Sequence, residues 1–175
     1  MKIRESSTFH GCVKSLLDSL DVSRNVEPEN FNNEYQKERF LRLLIYLTAF
    51  NLGAKDWLSD TKIGYDKLPG FKPHWHHFFP KGKRVLKGTG FKEEANALAN
   101  ITVLNEKTNR IISSNPPVKY IDRLEIPLER LKEQFIPIDQ ELWKVENYKR
   151  FLEERAKLLS DGCNSFLDSL RTGLE

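Results

Sequence analysis

Lys72-Pro73-His74-Trp75-His76-His77-Phe78-Phe79-Pro80-Lys81 is the stretch on which the reading of this 175-residue chain turns. Three of the four histidines fall within four residues, beside aromatics, a closing proline and cations. Histidine alone has an unperturbed pKa near neutrality, and it is the commonest metal ligand. Adjacent imidazoles allow a division of labour, one holding a divalent ion while the other moves a proton. A bare His-His pair is equally compatible with a polar strand end. Successive strand residues point to opposite faces, so both rings can address one site only where the strand ends or twists. Pro80 is consistent with such an end.

The downstream sequence separates these readings. After a loop rich in Gly and Lys comes Asn96-Ala97-Leu98-Ala99-Asn100-Ile101-Thr102-Val103-Leu104-Asn105-Glu106-Lys107-Thr108-Asn109-Arg110. With His76-His77-Phe78-Phe79-Pro80-Lys81 it resembles the ββα-metal (His-Me finger, HNH) nuclease motif. It looks most like the HHIFPK variant at the C-terminus of restriction-type proteins that carry a ParB-like N-terminal domain. Phe78 stands where that family usually has Ile. Asn100 and Asn109 are nine residues apart, the same step as in the HNH domain of the CRISPR RNA-guided nuclease. Gly53-Ala54-Lys55-Asp56-Trp57 resembles the segment that precedes HHIFPK in the same family, and residues 136–166 resemble its tail. The resemblance thus covers most of residues 40–172.

The resemblance implies a role for each motif residue. His77 is expected as general base and His76 as a metal ligand. Asn109 is expected as the second ligand, with Asn100 bracing the loop that carries the base. Phosphodiester hydrolysis needs an activated water, charge neutralisation and a stabilised leaving oxygen, which one divalent ion and one neutral imidazole can supply. The implied cofactor is Mg²⁺ or Mn²⁺, with Ni²⁺ or Zn²⁺ possible in vitro, and the implied substrate is DNA in restriction or phage defence. The family's ParB-like nucleotide-binding domain is missing, so the chain is expected to be an excised C-terminal domain or a stand-alone relative. A domain or subunit of that kind is the expected partner. Two alternatives stay open. His76 replaces the Asp or Glu common among relatives, which fits a nucleic-acid-binding or regulatory domain that does no chemistry. A structural zinc site from His74, His76 and His77 would lack a clear fourth ligand.

Charge placement agrees with a polyanionic partner. Residues 62–119 carry eleven cations against four anions, a net +7 in a chain of net +3, leaving −4 elsewhere. Lys81, Lys83, Arg84 and Lys87, with Arg110, could track a phosphate backbone, although a Lys-rich segment taken by itself reads more simply as a solvated loop. Cys12 and Cys163 stand far apart with no CxxC, which argues against a disulfide scaffold or Cys-ligated zinc. No eighteen-residue apolar run or signal-peptide core exists, so the expectation is a cytoplasmic chain without a membrane span.

The coarse element reading is helical. Phe9, Val13, Leu16, Leu17 and Leu20 predict an opening helix over 8–20, and 21–33 reads as a loop. A strong helix is predicted over 34–52, with Phe40, Leu43, Leu44 and Leu47 as its core face, widened by Leu41 and Ile45. Gly53 is its natural stop. Trp57 is expected as a core anchor and Asp56 as a cap or salt-bridge partner. A short helix over 91–99 precedes the second strand, which Asn100 opens. Asn105 caps the motif helix, and Pro116 and Pro117 end it. A short helix over 128–135 and a closing helix over 145–170 follow. The closing helix uses Tyr148, Phe151, Leu152, Leu158, Leu159, Phe166, Leu167 and Leu170, with a weak point at Gly162, and should lie against helix 34–52. Neither His10 nor His74 maps onto a motif role; His74 is expected to be a strand residue, with a place near the metal as the alternative. The expected architecture is one domain, mainly α, with a small ββα-metal motif (about 72–114) inserted in a helical scaffold (8–58 and 117–171).

Overall fold

The computed structural model describes residues 25–64, 71–82, 85, 86, 89–91 and 93–172. The expected helix over 8–20, His10 and Cys12 lie outside the described residues, as do Lys83, Arg84 and Lys87. Among the described residues the chain is mainly helical around one small two-stranded antiparallel sheet. None of its helices there is long and apolar enough to cross a membrane.

The sheet pairs β1 (Pro73–His77) with β2 (Ile101–Asn105), with His76 opposite Thr102 and His77 opposite Ile101. Residues 101–104 of β2 are all buried, which suits its β-branched and aliphatic composition. β1 stops at His77 because the next two residues go into the same core. Phe78 stacks on Phe151 with ring centroids 4.6 Å apart, and Phe79 meets Phe151 and Tyr148 edge-on at 5.0 Å. A continuing strand would send these neighbours to opposite faces. The chain bends instead, and Pro80 follows, buried.

Helix α1 (Arg39–Asn51) starts later than the predicted residue 34. Residues 33–35 are committed to the backbone of 96–98: Tyr35 N–H donates to the Asn96 carbonyl, and Leu98 N–H to that of Asn33, each at 2.9 Å. The helix closes as expected at Gly53, φ +66°, with Gly53 N–H bonded to Phe50 and Ala54 N–H to Ala49. Its core face needs correction. Leu41, Leu44, Ile45, Thr48 and Ala49 are buried, whereas Phe40, Leu43 and Leu47 are exposed together with Phe50. With apolar residues around most of the circumference, periodicity could not choose the face. The choice is made by the closing helix, whose Cys163 sulfur lies 3.7 Å from the Thr48 hydroxyl.

The predicted helix over 91–99 is two 3-10 turns, Glu94–Asn96 and Leu98–Asn100, interrupted at Ala97, which bridges to Glu34. Helix α2 (Glu106–Ile112) follows β2 directly, and the Asn105 side chain accepts from Lys107 N–H at 3.3 Å, the predicted cap. Pro117 does more than end α2, because it opens a further helix, α3 (Pro117–Arg123). A proline there loses no bond, since first-turn N–H groups are unpaired anyway. Helix α4 (Leu128–Lys132) is shorter than expected.

The closing helix, α5 (Tyr148–Thr172), packs against α1 as predicted, after a 3-10 turn over Val145–Asn147. Leu158, expected inside, is exposed. Gly162 is no weak point: a Cβ there would run into Cε1 of Phe135, so glycine is what lets that ring approach the helix. From the same helix the buried Arg155 guanidinium donates to the Ala99 and Ile101 carbonyls at 2.9 and 2.8 Å. The start of β2 is thereby fixed to α5.

Candidate active site

Strand alternation places His74 and His76 on the face of β1 that meets α2, and His77 on the other. Asn109, one turn into α2, reaches both rings of the first pair. Its Oδ1 lies 2.6 Å from His76 Nδ1, and its Nδ2 lies 3.0 Å from His74 Nδ1. Since Oδ1 only accepts, Nδ1 of His76 carries the proton and donates. His76 is 4% exposed and stands edge-to-face against Trp57 and Tyr120. Burial pulls its pKa down to about 4 against the opposing pull of the Asn109 bond, so the ring is neutral at neutral pH. His76 Nε2 is buried without a hydrogen-bond partner.

His77 is held differently. Its ring meets Tyr35 edge-on, and Nε2 lies 3.2 Å from Asn96 Oδ1, which also accepts from Lys81 Nζ at 3.3 Å. The proton therefore sits on Nε2 and leaves the Nδ1 lone pair as the basic atom. Burial first, and the Lys81 charge after it, lower the His77 pKa, while the Asn96 bond opposes them. The loop that follows is clasped by Asn100, which is fully buried. Its Oδ1 accepts from Phe79 N–H at 2.9 Å, and its Nδ2 donates to the Phe79 and Ala95 carbonyls at 3.0 and 2.9 Å. Its own carbonyl accepts from Phe78 N–H at 2.8 Å, and the Tyr120 hydroxyl donates to the Phe78 carbonyl at 3.1 Å. The strand end beneath His77 is thus fixed from two sides.

Helix α2 is positioned by Asp56, a buried carboxylate that accepts from Asn105 N–H at 2.8 Å and from the Thr108 hydroxyl at 2.5 Å. Leu58 N–H and the Ser59 hydroxyl also donate to it. The expectation of a helix cap or salt-bridge partner needs correction: α2 is capped by Asn105, and Asp56 instead braces the junction of β2 and α2 from across the fold. Trp57 is buried in the core, as expected.

His74, His76, His77, Lys81, Asn109 and Arg110 line one open cleft. Three of the four candidate residues for metal and base, His76, His77 and Asn109, thus line one cleft, while Asn100 is buried outside its lining and clasps the loop after His77. Lys81 is exposed at the rim, and Arg110 is engaged by Glu106 at 2.6 Å. Among the described residues no three His, Cys, Asp or Glu side chains are already gathered around a metal position, so a site here depends on the Asn109 amide. The donors fit a divalent ion that accepts nitrogen, such as Mn²⁺, Ni²⁺ or Zn²⁺, better than Mg²⁺, which prefers oxygen. The orphaned Nε2 bears on the fit. His76 Nδ1 can bind an ion only without its proton; moving that proton to Nε2 gives up the bond to Asn109 Oδ1, which the ion would replace, and displaces no partner at Nε2.

The sequence reading did not single out Asn96, which fixes the His77 tautomer. A signal was present in Asn96 and Asn100 flanking Ala-Leu-Ala, polar residues set in a small apolar run. No protein-family model matches this chain, and no curated protein or solved structure does.

Proposed function

We propose that this chain is a divalent-metal-dependent endonuclease domain of the ββα-metal type, hydrolysing DNA phosphodiester bonds. The observation that carries the reading is the split between the two asparagines. Asn109 meets His76 in the cleft, while Asn100 clasps the backbone that follows His77. That is the division of labour which the motif resemblance implies for two adjacent histidines.

In this reading the neutral His77 ring takes a proton from the attacking water through Nδ1, as the water oxygen bonds to phosphorus and the bond to the 3′ oxygen breaks. Asn96 keeps the ring in the tautomer that leaves Nδ1 free. Asn100 keeps the loop from drifting, and a displacement of about 1 Å can cost ~10²-fold in rate. A divalent ion held by His76 and Asn109 would act as a Lewis acid, neutralising phosphate charge and stabilising the leaving oxygen. Lys81 and Arg110 line the cleft, and in this reading they bind phosphate, Arg110 by exchanging its exposed pairing with Glu106. A role in restriction or phage defence, with a ParB-like domain as partner, rests on the resemblance alone.

One observation favours a second reading, a DNA-binding or regulatory module that does no chemistry. His76 contributes no negative charge to the ion site. Supercoiled plasmid incubated with Mg²⁺, Mn²⁺, Ni²⁺ or Zn²⁺ separates the two. Metal-dependent nicking or linearisation is expected, and DNA retention without any cutting would favour the binding module.

A further inference from the structure

His74 lies outside the motif, yet the Asn109 amide spans from its Nδ1 to that of His76. Two imidazoles at alternate positions of one strand share a face, and both Nδ1 atoms lie within 3.0 Å of a single carboxamide. Donors each ~2.1 Å from an imidazole-binding ion stand roughly 3.0–3.4 Å apart, from octahedral to tetrahedral angles. The His76–Asn109 pair, at 2.6 Å, needs to open by only roughly a few tenths of an ångström to reach that range. His74 is exposed, so turning its side chain toward the pair displaces no core contact. His77 is turned away to Asn96 and is not a candidate for this set.

We propose that His74 is a third protein ligand, completing a His74–His76–Asn109 site that takes Zn²⁺, Ni²⁺ or Co²⁺ in preference to Mg²⁺. The inference rests on the cleft holding an ion, as the proposed function requires, but not on any DNA being cut. Two neutral nitrogens and one amide oxygen match borderline transition ions, whereas Mg²⁺ prefers oxygen and keeps several of its waters. Three protein ligands also leave positions open for water and phosphate.

The test is direct metal binding by the metal-free full chain. Co²⁺ is followed by visible absorption, Zn²⁺ by competition with a chelator, and Mg²⁺ by calorimetry. His74→Ala is expected to weaken Co²⁺ and Zn²⁺ binding by about tenfold or more, on the scale typical of groups that tune metal sites. His77→Ala should leave both affinities close to wild type. Thermal melting of His74→Ala should match wild type, because the side chain is exposed. Unchanged Co²⁺ and Zn²⁺ affinity in His74→Ala, a wild-type preference for Mg²⁺, or no metal binding would each overturn the inference. His74-dependent binding without plasmid cleavage would defeat only the nuclease reading. Metal-dependent cleavage with unchanged binding in His74→Ala would defeat only this one.

Discussion

A buried neutral imidazole makes stability depend on pH, and His76 is the residue through which that dependence is read. An unfolded histidine titrates near 6.5, whereas burial holds His76 at about 4. Above 6.5 the ring is neutral in both states and its contribution is complete. As pH falls from 6.5 to 4 the unfolded chain takes up a proton that the native chain refuses. The metal-free protein should therefore lose about 3 kcal/mol from this group and level off below pH 4. Urea unfolding of wild type and His76→Leu at pH 7 and pH 4 isolates the effect, because carboxylates contribute to both proteins. Equal losses in the two would contradict it. The asparagines give a second prediction. Asn109→Ala should raise the metal concentration needed for half-maximal cleavage and recover partly at high Mn²⁺. Asn100→Ala strands the Phe79 N–H and the Phe79 and Ala95 carbonyls, which should cost about 3 kcal/mol or more. Its rate should stay depressed at saturating metal with metal affinity nearly unchanged. Rescue of Asn100→Ala but not Asn109→Ala would reverse their roles. These residues stood out in the sequence because they match the nuclease motif that the chain resembles. Asn96 did not, since its role depends on residues 33–35 holding its turn beside His77.

At the scale of elements, Gly162 and Phe135 form one unit. Ala in place of Gly in a helix interior normally gains about 1 kcal/mol. Here the added Cβ would collide with the Phe135 ring, and overpacking costs about 1–3 kcal/mol. Gly162→Ala should thus be net destabilising, and adding Phe135→Ala should make the alanine at 162 tolerable again. Denaturation of the single and double variants checks this coupling, and a stabilised Gly162→Ala would refute it. Strands, caps and the stop of α1 were legible because they depend on local chemistry: Asn105, Gly53 and the Phe78-Phe79-Pro80 exit. The α1 start, its buried face and the 3-10 turns before β2 were not. Each is decided by a partner distant in sequence, Asn33 to Tyr35 against Asn96 to Leu98 in one case and Cys163 beside Thr48 in another.

At the scale of the whole molecule, the described scaffold fixes the elements that carry one cleft. Arg155 ties the start of β2 to α5, Asp56 holds the start of α2, and Lys81 and Arg110 line the cleft itself. If Lys81, Lys83, Arg84 and Lys87 bind phosphates, neutralising all four should weaken DNA binding irrespective of sequence. The plot of log affinity against log salt should become shallower by roughly 0.9 per lost contact on duplex DNA. An unchanged slope would return these residues to a solvated loop. The mainly helical scaffold around a small sheet was legible from periodicity and turn residues. The joining of residues 53–57 to β2 and α2 through a buried carboxylate was not, because no local pattern encodes it. The central claim, that adjacent histidines do separate work, is tested most directly by single-turnover cleavage of supercoiled plasmid at saturating Mn²⁺, wild type beside His77→Ala. His77→Ala is expected to lose ~10²–10⁴-fold in rate while binding metal and DNA as wild type does. A loss of less than about tenfold, well short of general-base assistance, would contradict it, and so would loss of metal binding in His77→Ala with metal binding intact in His76→Ala.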